Sequence, residues 1–199
     1  MKGQNEMKKA KNALLLALCA VLLVGATIAG TVAYLTSTTT EVKNTFTAGN
    51  VTITLDEAKV TEYGVEVAGA ARVIQNEYKL IPGHTYTKDP TIKVADGSED
   101  CWVFAKLVDG LGDASTITID SEKWEQMTTT DGSVVYGYKT SLSAGQTATL
   151  FNEFTFDQGA NPETCKTASI TIIGYAVQAD SFATAAAAWA AAPATWTTN

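Results

Sequence analysis

Apolar and polar residues alternate through much of the chain. Val51, Ile53 and Leu55 are separated by Thr52 and Thr54, the period-2 pattern of a strand with one buried face, and threonine itself favours extended backbone. The same pattern predicts short strands at 65–67, 71–74, 91–94, 102–108, 115–119, 134–140, 147–156 and 170–177. Trp102-Val103-Phe104 and the run 170–177 are apolar at consecutive positions, as expected of central strands. Turn chemistry separates the runs. Asp131-Gly132 and Asp109-Gly110 suit positive φ, and Pro82-Gly83 suits the middle of a type II turn. One stretch has helical spacing instead: Asp180 or Ser181 can cap a helix that passes through an alanine block to Trp189 and stops before Pro193. Phe182, Ala185, Ala186 and Trp189 then share one face, which packs on the chain's own core or, in the alternative, on a partner. The expected fold is all-β, an antiparallel sandwich or jelly roll with a short C-terminal helix.

The beginning of the chain follows another pattern. Lys2, Lys8, Lys9 and Lys11 precede an apolar run from Ala13 to Ala33 that is interrupted by Gly25, Thr27 and Gly30. A basic segment, a hydrophobic segment and then small residues form the layout of a secretory signal peptide, with cleavage expected between Ala33 and Tyr34. The alternative is an uncleaved membrane anchor, because the run approaches the ~20 residues that cross a hydrocarbon core. Cys19 follows Leu18, too large a residue for lipid attachment, and reads as a buried thiol of the signal. The organisation is therefore a signal peptide over 1–33, an N-terminal arm over 34–50 and a β-sandwich domain over 51–199. No wall-sorting motif, second apolar span, heptad or fixed-period repeat is seen in the remainder.

Processing changes the charge. The chain has 14 basic and 21 acidic residues, of which the four lysines above and Glu6 precede Tyr34, so the remainder carries a net charge of −10. Such a field repels phosphate backbones and anionic lipid, which disfavours nucleic acid as a partner and leaves the uncleaved signal as the one expected membrane contact. Two cysteines remain after processing, Cys101 and Cys165. Outside the cell they can form a disulfide closing a loop of over sixty residues, a constraint of roughly 4 kcal/mol by loop entropy. Left unbonded, a buried cysteine acts as a small hydrophobe, and spacing leaves both states open.

Catalytic constellations are sparse. His84 is the single histidine, so a paired-histidine zinc helix is ruled out, and it sits beside Pro82-Gly83, where a structural or exposed role is expected. There is no Gly-x-Ser-x-Gly elbow, phosphate-cradling glycine loop or Cys-x-x-Cys pair. Asp96, Glu99 and Asp100 offer hard oxygen ligands for calcium, although their spacing differs from an EF-hand and a solvated turn is the simpler reading. No catalytic residue, metal or cofactor is expected, and the chain is read as not an enzyme.

Three regions carry a family resemblance. Gly30-Thr31-Val32-Ala33-Tyr34 followed by Asn44-Thr45-Phe46-Thr47-Ala48-Gly49-Asn50-Val51-Thr52-Ile53 resembles the start of the TasA/camelysin family of bacterial matrix proteins, exported through a SipW-type signal peptidase. The stretch from Leu80 to Pro90 is similar to the Pro-Gly segment of that family, and 170–179 before a helix fits its members from Gram-positive anaerobes. The resemblance implies a secreted jelly-roll subunit of biofilm fibres whose N-terminal strand is donated to the next copy. Its expected partners are copies of itself, the signal peptidase and other matrix or surface proteins. The Thr-rich arm, with Thr45, Phe46 and Thr47 just ahead of the first strand, is the expected assembly element, and a free terminus is the alternative. A monomeric surface module for carbohydrate or protein remains the competing function. The metalloprotease activity ascribed to some family members is a third, poorly supported by one histidine.

Overall fold

The computed structural model describes residues 50–192. The expected signal peptide, its expected cleavage site at Ala33/Tyr34, and Thr45, Phe46 and Thr47 of the expected assembly arm lie outside them. Ten strands follow in order: β1 (Ile53–Asp56), β2 (Thr85–Thr87), β3 (Thr91–Val94), β4 (Cys101–Asp109), β5 (Ser115–Ile117), β6 (Trp124–Gln126), β7 (Val134–Tyr138), β8 (Thr147–Thr149), β9 (Glu153–Phe156) and β10 (Ile170–Gln178). One helix, α1 (Ala185–Ala190), closes the described chain. The strands form three antiparallel sheets, ordered β1-β3-β8, β10-β4-β7-β6 and β2-β9-β5. Among the described residues no helix is long and apolar enough to cross a membrane.

The alternation of side chains along β4 divides the core. Cys101, Val103 and Ala105 join Ile92, Val94 and Ala148 from the first sheet in a sandwich-like layer. Trp102 and Phe104 point the other way, to Met127, Val135 and the buried Ala185 and Ala188 of α1. A third cluster, Tyr86, Phe154 and Phe156, fills the β2-β9-β5 sheet. Burial of both its faces is why β4 reads as continuously apolar.

Several elements differ from the pattern's expectation. The run 147–156 is two strands, because Leu150 and Phe151 turn inward at the crossing from the first sheet to the third. Residues 65–67 and 71–74 make only single bridges, Val60↔Glu66 and Glu57↔Val73. Strands β2 and β6 lacked a pattern long enough to see. The helix starts later than Asp180 or Ser181, since Thr184 is its cap: the hydroxyl accepts from the Ala187 amide at 3.2 Å. Ala188 is buried where Ala186 was expected, and Ala186 is exposed. The Pro82-Gly83 turn is as expected, with Gly83 at φ 78° and the His84 amide donating to the Ile81 carbonyl. Gly110 has no positive φ, and its role is close approach: a methyl group there would stand 2.7 Å from the Ser169 carbonyl oxygen.

Candidate functional site

The run 170–177 was expected to be a central strand, but β10 is the edge of its sheet. It pairs with β4 over all nine residues, from Ile170↔Asp109 to Gln178↔Cys101, and has no strand on its other side among the described residues. The pairing fixes which groups remain open. The Gly110 amide donates to the Ser169 carbonyl and the Ala179 amide to that of Asp100, so odd-numbered residues turn their polar groups toward β4. Ile170, Ile172, Gly174, Ala176 and Gln178 therefore present their amides and carbonyls outward, where no strand pairs with them among the described residues. No residue of β10 is charged, and none is proline. Edge strands are ordinarily protected by those very features.

The inner face of this edge opens into a cleft of about 970 Å³. Leu55, Leu80, Leu111, Phe154, Ile170 and Ile172 supply apolar wall. The cleft ends near Gly174, where a methyl group would already meet Ile53 Cδ1 at 3.4 Å and Ile92 Cδ1 at 3.5 Å. The opposite rim is the connection 57–84, which leaves Ile74 87% exposed beside the cleft.

That connection is held by charge. Arg72, the chain's one arginine, bonds Asp56 at 2.5 Å and Asp89 at 2.8 Å, and also donates to both of their carbonyls. Burial alone would lower its affinity for a proton, but the hydrogen bonds to the two carboxylates outweigh this and raise it. Beneath it Glu57 and Lys88 form a buried ion pair, with Asn76 donating to both Glu57 and the Ala58 carbonyl. Tyr78 donates to the Thr87 carbonyl, and burial, then the nearby Glu57 and Asp89, push its hydroxyl pKa upward. The wall of the cleft is thus anchored by interactions that the hydrophobic pattern could not reveal. The single arginine among many lysines was the available signal.

The other candidate residues are dispersed. Cys101 is fully buried in the sandwich core, Cys165 lines the cleft, and both thiols are free, so the disulfide alternative is not what the structure holds. His84 Nε2 lies 2.9 Å from the Tyr63 carbonyl, and its ring packs edge-on against Tyr86. Asp96, Glu99 and Asp100 are all exposed, and among the described residues no three acidic, histidine or cysteine side chains stand together as a metal would need. No family model, curated protein or solved structure matches the chain.

Proposed function

We propose that the chain is an exported structural subunit that assembles into extracellular fibres by strand donation. The observation that carries this reading is the nine-residue, uncharged edge of β10, whose five outward-facing residues offer ten backbone groups to an added strand. The signal-like start and the Thr-rich arm over 34–50 supply the donor. The resemblance to TasA/camelysin segments supports the same reading, with a jelly-roll domain, SipW-type processing before Tyr34 and a place in the biofilm matrix.

Two measurements test it. N-terminal sequencing of material outside the cell should begin at Tyr34, and an intact segment from Met1 on membrane-bound protein would make the chain an anchored one. Negative-stain imaging of the processed protein should show fibres that disappear on deletion of 34–44. A deletion variant that assembles at the normal rate would remove strand donation. The cleft favours a second reading, a monomeric surface module that binds an extended ligand, and a processed protein that stays monomeric at every concentration would support that reading instead.

A further inference from the structure

Resting on the strand-donation reading, we infer that the cleft beside Ile170 and Ile172 is the specificity pocket of assembly, and that its occupant is Phe46 from a second copy of the chain. The arm carries a second periodicity. Its even positions from 34 to 48 are Tyr34, Thr36, Thr38, Thr40, Val42, Asn44, Phe46 and Ala48, all uncharged, whereas both charges, Glu41 and Lys43, fall on odd positions. In a strand these are two faces, so the arm has one face fit for burial and one fit for water.

The acceptor imposes the same parity. Side chains of Ile170, Ile172 and Ala176 point to the sandwich core and those of Tyr175 and Val177 to the α1 side. A residue paired directly opposite Ile170 or Ile172 lies on their face and enters the cleft. Opposite Gly174 there is no such room, because Ile53 and Ile92 already pack there. The pocket therefore selects a large apolar side chain at one end of the added strand and small ones beyond it. The arm's even face offers such a pair in Phe46 and Ala48.

Chain length assigns the donor to another copy. Asn50 is tied at the Ala179 end of the edge: its carbonyl accepts from Glu99, and the next residue, Asp100, accepts from Ala179. Phe46 is four residues earlier, a span of at most about 14 Å, while Ile172 stands about 17 Å or more down the strand. Only a second copy brings it opposite Ile172.

Cys165, which lines the cleft, is a built-in reporter. The full chain bearing Phe46→Cys, after processing and mild diamide oxidation, should give a ladder of disulfide-linked oligomers on non-reducing gels, lost on adding Cys165→Ser. Asn44→Cys and Ala48→Cys keep Phe46 and share its face, so at least one of them should give the same ladder if removal of the ring weakens assembly. Because alternate side chains point to opposite faces, Thr45→Cys and Thr47→Cys should link about fivefold less or worse. Equal or stronger linking at Thr45 or Thr47 would overturn the parity, and a disulfide within one monomer would overturn the second-copy assignment. Fibres that form normally without linking at any even position would sink this inference and leave strand donation standing. Absence of both fibres and links would remove the two together.

Discussion

Strands β4 and β10 are both nine residues long, both rich in apolar side chains, and paired with each other along their whole length. Their settings differ. Val103, Phe104 and Ala105 of β4 are 0% exposed and lie between two neighbouring strands, whereas every residue of β10 except the exposed Thr171 is half-buried and, among the described residues, one side of its backbone has no strand beside it. The difference separates two properties that a hydrophobic run confounds. Consecutive apolar residues report that both faces of a strand are covered, here by the sandwich core on one side and by α1 with its aromatic neighbours on the other. They carry no information about lateral hydrogen bonding, which every residue type supports equally well through its backbone. A run such as Ile170 to Gln178 can therefore be covered above and below and still be an edge.

The largest contrast should be in stability. Phe104, buried against Met127 and Trp189, should cost about 3–5 kcal/mol on truncation to alanine, read as a lower urea midpoint with an unchanged slope. Ile172→Ala on the half-buried edge should cost less than half as much. Equal losses would mean that β10 is as central to the core as β4.

A pair of proline substitutions sharpens the contrast within β10 itself. Val177 turns its amide toward β4 and Ala176 turns its amide outward, by the parity established from Ser169 and Ala179. Val177→Pro removes a ladder hydrogen bond and should destabilise by roughly 1–3 kcal/mol more than Ala176→Pro. The Ala176 variant should fold and yet fail to assemble, because its outward donor is gone. If the two prolines were equally damaging to folding, the edge would not be open in solution.

Where the sequence was legible, local chemistry decided the structure. The alternation at 51–55, the Pro82-Gly83 turn and the solid apolar start of β4 each act within a few residues, and each matches. The failures were non-local. The split of 147–156 depends on two sheets being separate bodies, and Ala186 lost its place to Ala188 because Thr184, rather than Asp180 or Ser181, took the cap. The cleft was illegible for the same reason, since its walls come from β1, the 57–84 connection, β9 and β10, far apart in the chain. Arg72 was visible as a lone arginine, but its partners Asp56 and Asp89 are 16 and 17 residues away.

A moderate effect is expected from pH, and it belongs to β4. Burial, with Asp100 as a second cause, pushes the Cys101 thiol from 9.0 up to about 11. Burial also raises Tyr86, Tyr136 and Tyr175. Between pH 9 and 11 the unfolded chain releases the Cys101 proton while the folded one keeps it, so folding opposes ionisation and stability falls through that window. Below pH 9 both states hold the proton and this contribution is constant. Urea midpoints of Cys101→Ala should decline less steeply over that window than those of the unaltered protein. An equally steep decline would place the alkaline sensitivity with the tyrosines.

The smallest change in stability should accompany the largest change in assembly. Thr171 is the exposed residue of β10, and its backbone already serves β4, so Thr171→Lys leaves the ladder and the core untouched and should shift folding stability by no more than about 0.5 kcal/mol. It nevertheless places on the edge the kind of charge that natural edge strands use against strand addition, beside the position where a donated strand would desolvate it. Fibre formation should fall sharply while the melting temperature stays in place. Lys93→Thr on β3, which is exposed but already paired on both sides by β1 and β8, is the matched control and should leave assembly unchanged. If Thr171→Lys assembles as readily as the control, then the open side of β10 is not where copies meet. The difference between β4 and β10 would in that case concern stability alone.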